Sequence, residues 1–338
     1  MRRLGILFTL LFAIVCAVLT WPGFFHVERT FPIAQVIAFR GPITAGMGAL
    51  LVLFLLFALA RPLRRVMLPL ALVAVLAVVA GTVTLTSRGT GTDALPEKTD
   101  DSIRVMTWNT AGDATDAETI AQTAVAMSAD IVSLPETTIE TGVAVAVAMR
   151  ELGQPMWAFH TEYGTDGWAA DSTTLLISPD LGDYSVTVSS QNGSSNTSTV
   201  PSVVAMPTDG DGPTIVAAHA VAPRQDAMSD WDHDLQWLAD QCASGDVIMA
   251  GDFNATLDHM AGLGTDGGDL GDCSDAASAT GTGAVGTWPT SLPALAGAPV
   301  DHVMTTSAWT ATGSLVLTSL DGSGSDHRPL IVQLERTG

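Results

Sequence analysis

The predicted fold depends first on the stretch Val247-Ile248-Met249-Ala250-Gly251-Asp252-Phe253-Asn254. Its apolar part is typical of a central strand that is buried on both faces. The strand passes directly into a turn that carries a carboxylate and an amide, and a hydrated Mg²⁺ prefers oxygen ligands of this kind. Because Gly-Asp-x-Asn alone is often an ordinary turn, its interpretation depends on the remainder of the chain.

Helical stretches and strand-like runs alternate on both sides of this strand. Helical spacing predicts helices over residues 116–128, 139–152 and 226–242, the second of which ends at Gly153. β-rich runs predict strands over residues 103–108, 130–134, 156–160, 173–178, 184–188, 203–206, 214–219, 247–253, 300–304, 314–317 and 330–334. Mixed strands with helices outside them predict two layered β-sheets that are covered on both faces.

Polar motifs follow or begin several of these strands. They are Trp108-Asn109, Leu134-Pro135-Glu136, His219, Asp301-His302 and Ser325-Asp326-His327. Taken singly, each has an ordinary explanation: an isolated Asn109 is typical of a turn, and an isolated Glu136 is typical of a helix N-terminus. Gathered in one place, three aspartates and a glutamate would repel one another without a cation, which favours a metal site.

The ordered series of motifs resembles the endonuclease/exonuclease/phosphatase superfamily over roughly residues 103–334. This resemblance implies an α/β fold with a four-layered sandwich, in which two packed mixed β-sheets are flanked by helices and the motifs converge at one end. It also implies metal-dependent hydrolysis of phosphate esters. Asn109 and Glu136 would bind Mg²⁺, with Mn²⁺ as the alternative metal.

The same resemblance assigns a role to each remaining motif residue. Asp252 would orient or deprotonate the attacking water, and Asn254 would hold that carboxylate or the phosphate. Such a site suits the reaction, because a phosphate ester needs charge neutralisation, an aimed water and stabilised oxygens. The residues implied to act on the phosphate side are His327 paired with Asp301, Asp326 as a support, and His219 as a second polar contact.

The amino-terminal end is apolar over residues 4–21, 43–60 and 66–86. Each stretch is close to the roughly 20 residues that cross a bilayer, and none contains a charged residue. The first could be a cleaved signal peptide, but no A-x-A site follows it. Arginines within residues 2–3 and 61–65 predict cytoplasmic ends by the positive-inside rule, although Arg29 and Arg40 lie on the other side. The chain is therefore predicted to be a multi-pass protein of the cell membrane with an extracytoplasmic catalytic domain.

The predicted domain organisation follows from these stretches. Residues 1–86 form a membrane anchor with three transmembrane helices, residues 87–101 form a polar linker, and residues 102–338 form the catalytic domain. In an exported domain, Cys242 and Cys273 are expected to form a disulfide, with a pair of unrelated buried thiols as the alternative.

Charge is distributed unevenly along the chain. Of 14 basic and 35 acidic residues, 8 arginines and 1 glutamate lie within residues 1–90, which leaves 6 basic and 34 acidic residues beyond them. The remainder carries a net charge of about −28 with neutral histidines. Such a surface repels polyanions at a distance, and the sequence has no Lys/Arg stripe or basic insertion that would predict a strong nucleic-acid-binding patch.

Two further motifs keep more than one interpretation. Gly286-Thr287-Trp288-Pro289 precedes Asp301, so Trp288 could line the substrate cleft or serve only in packing. Trp231-Asp232-His233-Asp234 has the composition of a metal site, but its place at the start of a predicted helix favours a capping turn.

Three functions follow as hypotheses. The first is a membrane-tethered Mg²⁺-dependent phosphoesterase that hydrolyses a phosphodiester or a phosphomonoester by in-line attack of water. The second is an extracellular nuclease that acts on DNA or RNA, and the third is a non-catalytic binding module on the same fold. The retained Glu136, Asp252, Asn254 and His327 argue against the third. The expected partners are a phosphate-ester substrate and the membrane, and the sequence indicates no protein partner.

Overall fold

The computed structural model describes residues 2–91, 94–164, 168–187 and 195–337. Thr92 and Asp93 of the predicted linker, Val188 at the end of a predicted strand, and the terminal residues Met1 and Gly338 lie outside the described residues. The chain divides into two compact units, residues 1–87 and residues 88–338.

The amino-terminal part of the chain is helical. Its helices are α1 (Arg2–Thr20), α2 (Pro22–Phe25), α3 (Ile33–Ile37), α4 (Arg40–Ala58) and α5 (Arg64–Arg88). Among the described residues, three helices are long and apolar enough to cross a membrane: Arg3–Thr20, Arg40–Ala58 and Arg64–Arg88. Apolar side chains such as Leu72 and Leu76 remain exposed on them. A surface of this kind suits hydrocarbon better than water, which favours membrane association.

The second unit alternates strands and helices. In the first half these are β1 (Ser102–Thr107), α6 (Ala117–Ala126), β2 (Ile131–Pro135), α7 (Ile139–Glu151), β3 (Trp157–Glu162), β4 (Ser172–Ile177), β5 (Tyr184–Val186) and β6 (Val203–Pro207). In the second half they are β7 (Thr214–His219), α8 (Met228–Gln241), β8 (Val247–Asp252), β9 (Ser274–Asp275), α9 (Ala276–Ala279), β10 (Asp301–Thr305), β11 (Trp309–Val316) and β12 (Leu330–Arg336).

The strands of the described residues form two six-stranded sheets. The first has the order β11-β12-β1-β2-β4-β3, and the second has the order β5-β6-β7-β8-β10-β9. In each sheet one central pair is parallel, β1 with β2 and β7 with β8, while the remaining pairs are antiparallel. Both sheets are therefore mixed, as predicted.

The core lies between the two sheets. Val105 of the first sheet and Ile248 of the second belong to one buried apolar cluster. On its other face the first sheet packs against α6 and α7, where Ile120, Val132 and Met149 belong to a second buried cluster. The predicted α/β fold of two packed mixed sheets flanked by helices is confirmed.

Strand pairing collects the polar motifs at one edge. Asn109 and Glu136 follow the parallel strands β1 and β2, whose carboxyl ends share an edge of the first sheet. His219 and Asp252 are the last residues of β7 and β8 and lie opposite each other in register. Asp301 begins β10 and pairs with Asp252 from the antiparallel side. The site is therefore built on strand ends, which are more rigid than loops.

The structure departs from the sequence prediction in three places. β9 and α9 together span only six residues, 274–279, which is too short for a periodic signal. β11 begins at Trp309, earlier than predicted, because a bulge near Ala311 interrupts the alternation of side chains. The capping turn predicted for residues 231–234 was wrong, since these residues lie inside α8, which starts at Met228.

A disulfide joins Cys242 to Cys273, with 5.6 Å between their Cα atoms. Cys242 follows the last residue of α8, and Cys273 directly precedes β9. The cross-link encloses β8 and the whole segment between β8 and β9, and a bond that closes a loop of this size stabilises a domain by about 4 kcal/mol. Cys16, in the first unit, is buried and carries no disulfide.

Candidate active site

A buried amide joins two carboxylates at the shared edge. Nδ2 of Asn109 donates to Glu136 Oε1 at 3.1 Å and to Asp252 Oδ2 at 3.0 Å. Oδ1 of Asn109 accepts the Ala111 N–H at 2.9 Å, which fixes the direction of the amide. Asn109 thus ties the two sheets together at this point. The NH₂ group of Asn109, and not its oxygen, faces the carboxylates. These contacts do not show Asn109 as a metal ligand, so that role stays a prediction.

Asn254 holds the other side of Asp252. Its N–H donates to Asp252 Oδ1 at 2.8 Å, and its side chain donates to Asp252 Oδ2 at 3.2 Å and to the Ala220 carbonyl at 2.9 Å. Asn254 has a φ of 47° and Glu136 has a φ of 54°, both in the left-handed region. Residues other than glycine adopt this region rarely, although Asn does so more often than most, and the hydrogen bonds of Asn254 help to hold it there.

His327 and Asp301 form a buried pair beside Asp252. His327 Nδ1 lies 2.8 Å from Asp301 Oδ2, and its Nε2 lies 3.8 Å from Asp252 Oδ2. Burial lowers the pKa of His327, but the carboxylates of Asp301 and Asp252 outweigh burial and raise this pKa to about 10. His327 is therefore an imidazolium near neutral pH, and it can meet the negative charge of a phosphate.

Asp252 has the opposite balance of effects. Burial raises the pKa of its carboxyl group to about 7, although the His327 charge acts in the other direction, and Asp301 adds to the increase. A carboxylate with a pKa near neutrality accepts a proton more readily than an ordinary aspartate does. The geometry and the pKa of Asp252 both suit a general base.

His219 lies beside Glu136. Its Nε2 is 3.9 Å from Glu136 Oε1, and its Nδ1 is 3.5 Å from Thr173 Oγ1. Burial, and then the charge of His327, lower the pKa of His219 to about 3. The contact with Glu136 is therefore not an ion pair near pH 7, and His219 can serve a substrate only as a neutral hydrogen-bonding group.

Asp326 lies at the exposed rim of the cluster. Its Oδ2 accepts the Trp288 Nε1–H at 2.9 Å, and its carboxylate contributes to the raised pKa of His327. The residue before Trp288 also reaches the site, because the Thr287 hydroxyl accepts the Asp301 N–H at 3.1 Å. Trp288 is thus fixed at the rim, next to the residue that precedes His327.

Two side chains to which sequence reasoning gave no role support the site from behind. Trp108 Nε1 donates to the His327 carbonyl at 2.9 Å. The Ser325 hydroxyl donates to the Asn109 carbonyl at 2.7 Å and accepts the His327 N–H at 3.0 Å. Both residues belong to the quoted motifs, so their position in the sequence carried the signal. Their hydrogen bonds join the segment after β1 to the segment before β12.

The sequence profile described as "Endonuclease/Exonuclease/phosphatase family" matches residues 106–327. The chain belongs to this family. Members of the endonuclease/exonuclease/phosphatase family are typically hydrolases that act on phosphoester bonds, and they generally use divalent metals. No curated protein matches the chain in sequence.

Solved structures share the family fold at low sequence identity. An endonuclease/exonuclease/phosphatase from Beutenbergia cavernae DSM 12333 is 18% identical with a TM-score of 0.52, covering 70% of this chain and 72% of its own. D. rerio TDP2 complexed with a single strand DNA product is 16% identical with a TM-score of 0.52, covering 70% and 100%. A family protein from Leptotrichia buccalis C-1013-b is 12% identical with a TM-score of 0.53, covering 69% and 99%. At these identities the likeness shows the fold alone.

The side chains of this family member fit a divalent cation. Asp252, Asp301 and His327 each offer a ligand atom, and these atoms lie within 4.8 Å of one another. Oδ1 of Asp301 is buried and has no hydrogen-bond partner among the described residues. Carboxylate oxygens without donors favour a hard cation. His327 carries positive charge and would therefore repel a cation. The groups that would hold the cation are the carboxylates, including that of Glu136.

We expect a bell-shaped dependence of kcat/KM on pH. Asp252 must be deprotonated, so the rate should fall as pH decreases through about 7. A bound cation that stabilises the carboxylate would move this acidic limb to lower pH. His327 must be protonated, so the rate should also fall as pH rises through about 10. Asp301→Asn removes a carboxylate that raises the pKa of His327 and should shift the alkaline limb to lower pH. Profiles of both proteins from about pH 5 to about pH 11 test this, and an unchanged alkaline limb in Asp301→Asn would contradict the assignment.

Proposed function

We propose that this protein is a membrane-tethered, extracytoplasmic, Mg²⁺-dependent phosphoesterase that hydrolyses a phosphodiester or a phosphomonoester by in-line attack of water. The observation that carries the proposal is the contact of the Asn109 amide with both Glu136 and Asp252, with His327 3.8 Å from Asp252. One small site thus combines a base, a carboxylate suited to a cation, and a cationic donor. These are the groups that phosphoryl transfer to water requires.

Asp252 is the proposed base. Hydrogen bonds from Asn109 and Asn254 reach both of its carboxylate oxygens, so the carboxylate is oriented before a substrate binds. Its raised pKa gives it the basicity to take a proton from water near neutral pH.

His327 is the proposed donor to the phosphoryl oxygens. Asp301 fixes the ring by accepting its Nδ1–H, which leaves the Nε2–H for the substrate. His219 adds a neutral hydrogen bond, and Asp326 supports the positive charge of His327 from the rim. A divalent cation held by Glu136 and the neighbouring carboxylates would neutralise the charge that develops on the phosphate oxygens.

The membrane anchor is proposed from the three apolar helices, and the extracytoplasmic side from the arginines at their ends. Alkaline phosphatase fused after Gly338 is expected to be active, because that enzyme folds only outside the cytoplasm. A fluorescent protein that folds only in the cytoplasm should be dark in the same position. The reverse pattern would place the catalytic domain inside the cell and remove this part of the proposal.

A nuclease is the second candidate. D. rerio TDP2, which shares the fold, has been solved with a single strand DNA product, so nucleic acid belongs among the substrates to be tested. Against this candidate, the 34 acidic and 6 basic residues beyond residue 90 repel a polyanion. We therefore place small phosphate esters and lipid head groups ahead of DNA and RNA.

A substrate panel on the full chain in detergent micelles tests the proposal. Bis-p-nitrophenyl phosphate, p-nitrophenyl phosphate, sphingomyelin, inositol phosphates, plasmid DNA and RNA would be assayed side by side with Mg²⁺ and with EDTA. We expect Mg²⁺-dependent hydrolysis of at least one small ester or lipid. Rapid nicking of plasmid DNA as the main activity would favour the nuclease, and a folded, metal-replete protein inactive on every substrate would favour a binding module.

A further inference from the structure

His302 is a buried histidine that none of the proposed catalytic steps uses. It follows Asp301 on β10, and successive side chains of a strand point to opposite faces. The ring is almost completely buried and contacts Phe253 edge-on, with 5.4 Å between the ring centroids. A buried polar ring in this place requires partners for both of its nitrogens.

Both ring nitrogens of His302 face oxygen acceptors. Nδ1 lies 2.7 Å from Oδ2 of Asp275, and Nε2 lies 2.9 Å from the carbonyl oxygen of Ala255. A carbonyl oxygen carries no hydrogen, so the Ala255 contact requires a proton on Nε2. Nδ1 is within hydrogen-bond distance of the Asp275 carboxyl group, which holds the other side of the ring. His302 therefore bridges Asp275 and the Ala255 carbonyl, and its Nε2–H is the donor to Ala255.

Asp275 is itself held in place. Its other carboxylate oxygen accepts the Ser278 N–H at the start of α9, and its own N–H donates to Asp269 Oδ2 at 2.9 Å. Asp275 also pairs with Met304 across β9 and β10. The anchor for His302 thus belongs to regular structure and not to a free loop end.

The residue that directly follows Asn254 is Ala255, whose carbonyl accepts the hydrogen bond from His302. Asn254 has a left-handed backbone conformation, and its N–H and side chain hold both oxygens of Asp252. This conformation carries an energetic cost for residues other than glycine, so contacts with neighbouring groups help to maintain it. The hydrogen bond from His302 restrains the peptide between Ala255 and Thr256, one residue beyond Asn254.

We infer that His302 is a positioning residue of the active site, which keeps Asn254 and thereby Asp252 in their catalytic arrangement through the Ala255 carbonyl. The inference rests on the proposed function, because it concerns the base of that reaction. The same strand then serves the site twice: Asp301 orients His327 on one face, and His302 fixes the turn of Asn254 from the other.

The decisive comparison is between His302→Phe and Asp275→Asn in the full chain. His302→Phe keeps a planar ring and loses both donors, so kcat should fall roughly 10- to 100-fold with KM changed less than about threefold. Asp275→Asn should keep kcat within about threefold, because its oxygen can still accept the Ser278 N–H while its NH₂ group donates to Nδ1 of a neutral His302. The Nε2–H bond to Ala255 survives in that variant.

Met149→Ala is the matched control for lost stability. Met149 is buried in the cluster between α7 and the first sheet, and none of the proposed catalytic residues is a member of that cluster. This variant should lower Tm and keep the kcat of the folded protein. Amide hydrogen exchange supplies a readout that needs no substrate: exchange over residues 252–256 should accelerate selectively in His302→Phe and not in Met149→Ala or Asp275→Asn.

The outcomes separate this inference from the proposed function. Selective exchange over residues 252–256 in His302→Phe supports the positioning role even if no substrate is hydrolysed. Parent-like exchange there, or a parent-like kcat in His302→Phe, overturns it. A loss in Asp275→Asn equal to that in His302→Phe also overturns it, because the hydrogen bond to Ala255 would then not be the deciding contact.

Discussion

Replacement of Asp252 by asparagine is expected to lower kcat by roughly 10²- to 10⁴-fold, the range that a positioned general base contributes. The substitution keeps the size of the side chain and removes its ability to accept a proton. In the parent protein, Asn109 and Asn254 donate hydrogen bonds to the two carboxylate oxygens of Asp252. The substitution replaces one of these oxygens by an NH₂ group, which then faces a donor. The measurement is steady-state kinetics of the full chain on the best substrate of the panel.

Asp180→Asn is the matched control for this variant. Asp180 is an exposed carboxylate in a short turn after β4, so its replacement removes the same charge without touching the site. We expect parent-like kcat for Asp180→Asn. If folded Asp252→Asn kept more than about a tenth of the parent rate, Asp252 could not be the base.

Removal of divalent metal is expected to abolish activity, with a loss of at least about 10²-fold in EDTA and recovery on adding excess Mg²⁺. The physical reason is the gathering of the buried carboxylates of Asp252 and Asp301, which repel each other, with the half-buried Glu136 close to Asp252. Among the described residues, Oδ1 of Asp301 has no hydrogen-bond partner. Mn²⁺ should replace Mg²⁺, since both prefer oxygen ligands in octahedral geometry.

Glu136→Gln sharpens the metal test. It removes one negative charge from the site while keeping an oxygen that can accept the Asn109 amide hydrogen bond. The variant should need a higher Mg²⁺ concentration for half-maximal activity. Thermal unfolding gives a second readout, because an ion that binds only the folded protein raises Tm with its concentration. Full activity in EDTA, together with a Tm that ignores Mg²⁺, would falsify the metal proposal.

The strand ends could be predicted from the sequence because local pattern sets them. The apolar run before Asp252 and the short runs before Asn109 and Glu136 predicted the strands, and the resemblance to the family implied that the motifs converge at one end. The hydrogen bonds across that edge could not be predicted. The Asn109 amide turns its nitrogen toward the carboxylates because Ala111 takes its oxygen, and periodicity carries no information about such a choice.

The supporting contacts were hidden for a related reason. His302 and Asp275 are 27 residues apart, and Trp288 and Asp326 are 38 residues apart. Each contact depends on how loops between strands return to the sheet, and a single sequence does not encode loop paths in a readable pattern. Element types followed from local chemistry, whereas partners across the fold required the three-dimensional arrangement.

The pairing of Asp301 with Asp252 across β10 and β8 limits how this protein can diverge. A slip of one residue would exchange the two faces of β10, sending Asp301 into the packing layer and His302 toward the reaction centre. Insertions and deletions in the long connection between Asn254 and β10 are therefore compatible with the site only if the register of β10 with β8 is preserved. The loops can change without moving these two carboxylates, whereas a shift of β10 against β8 would separate them.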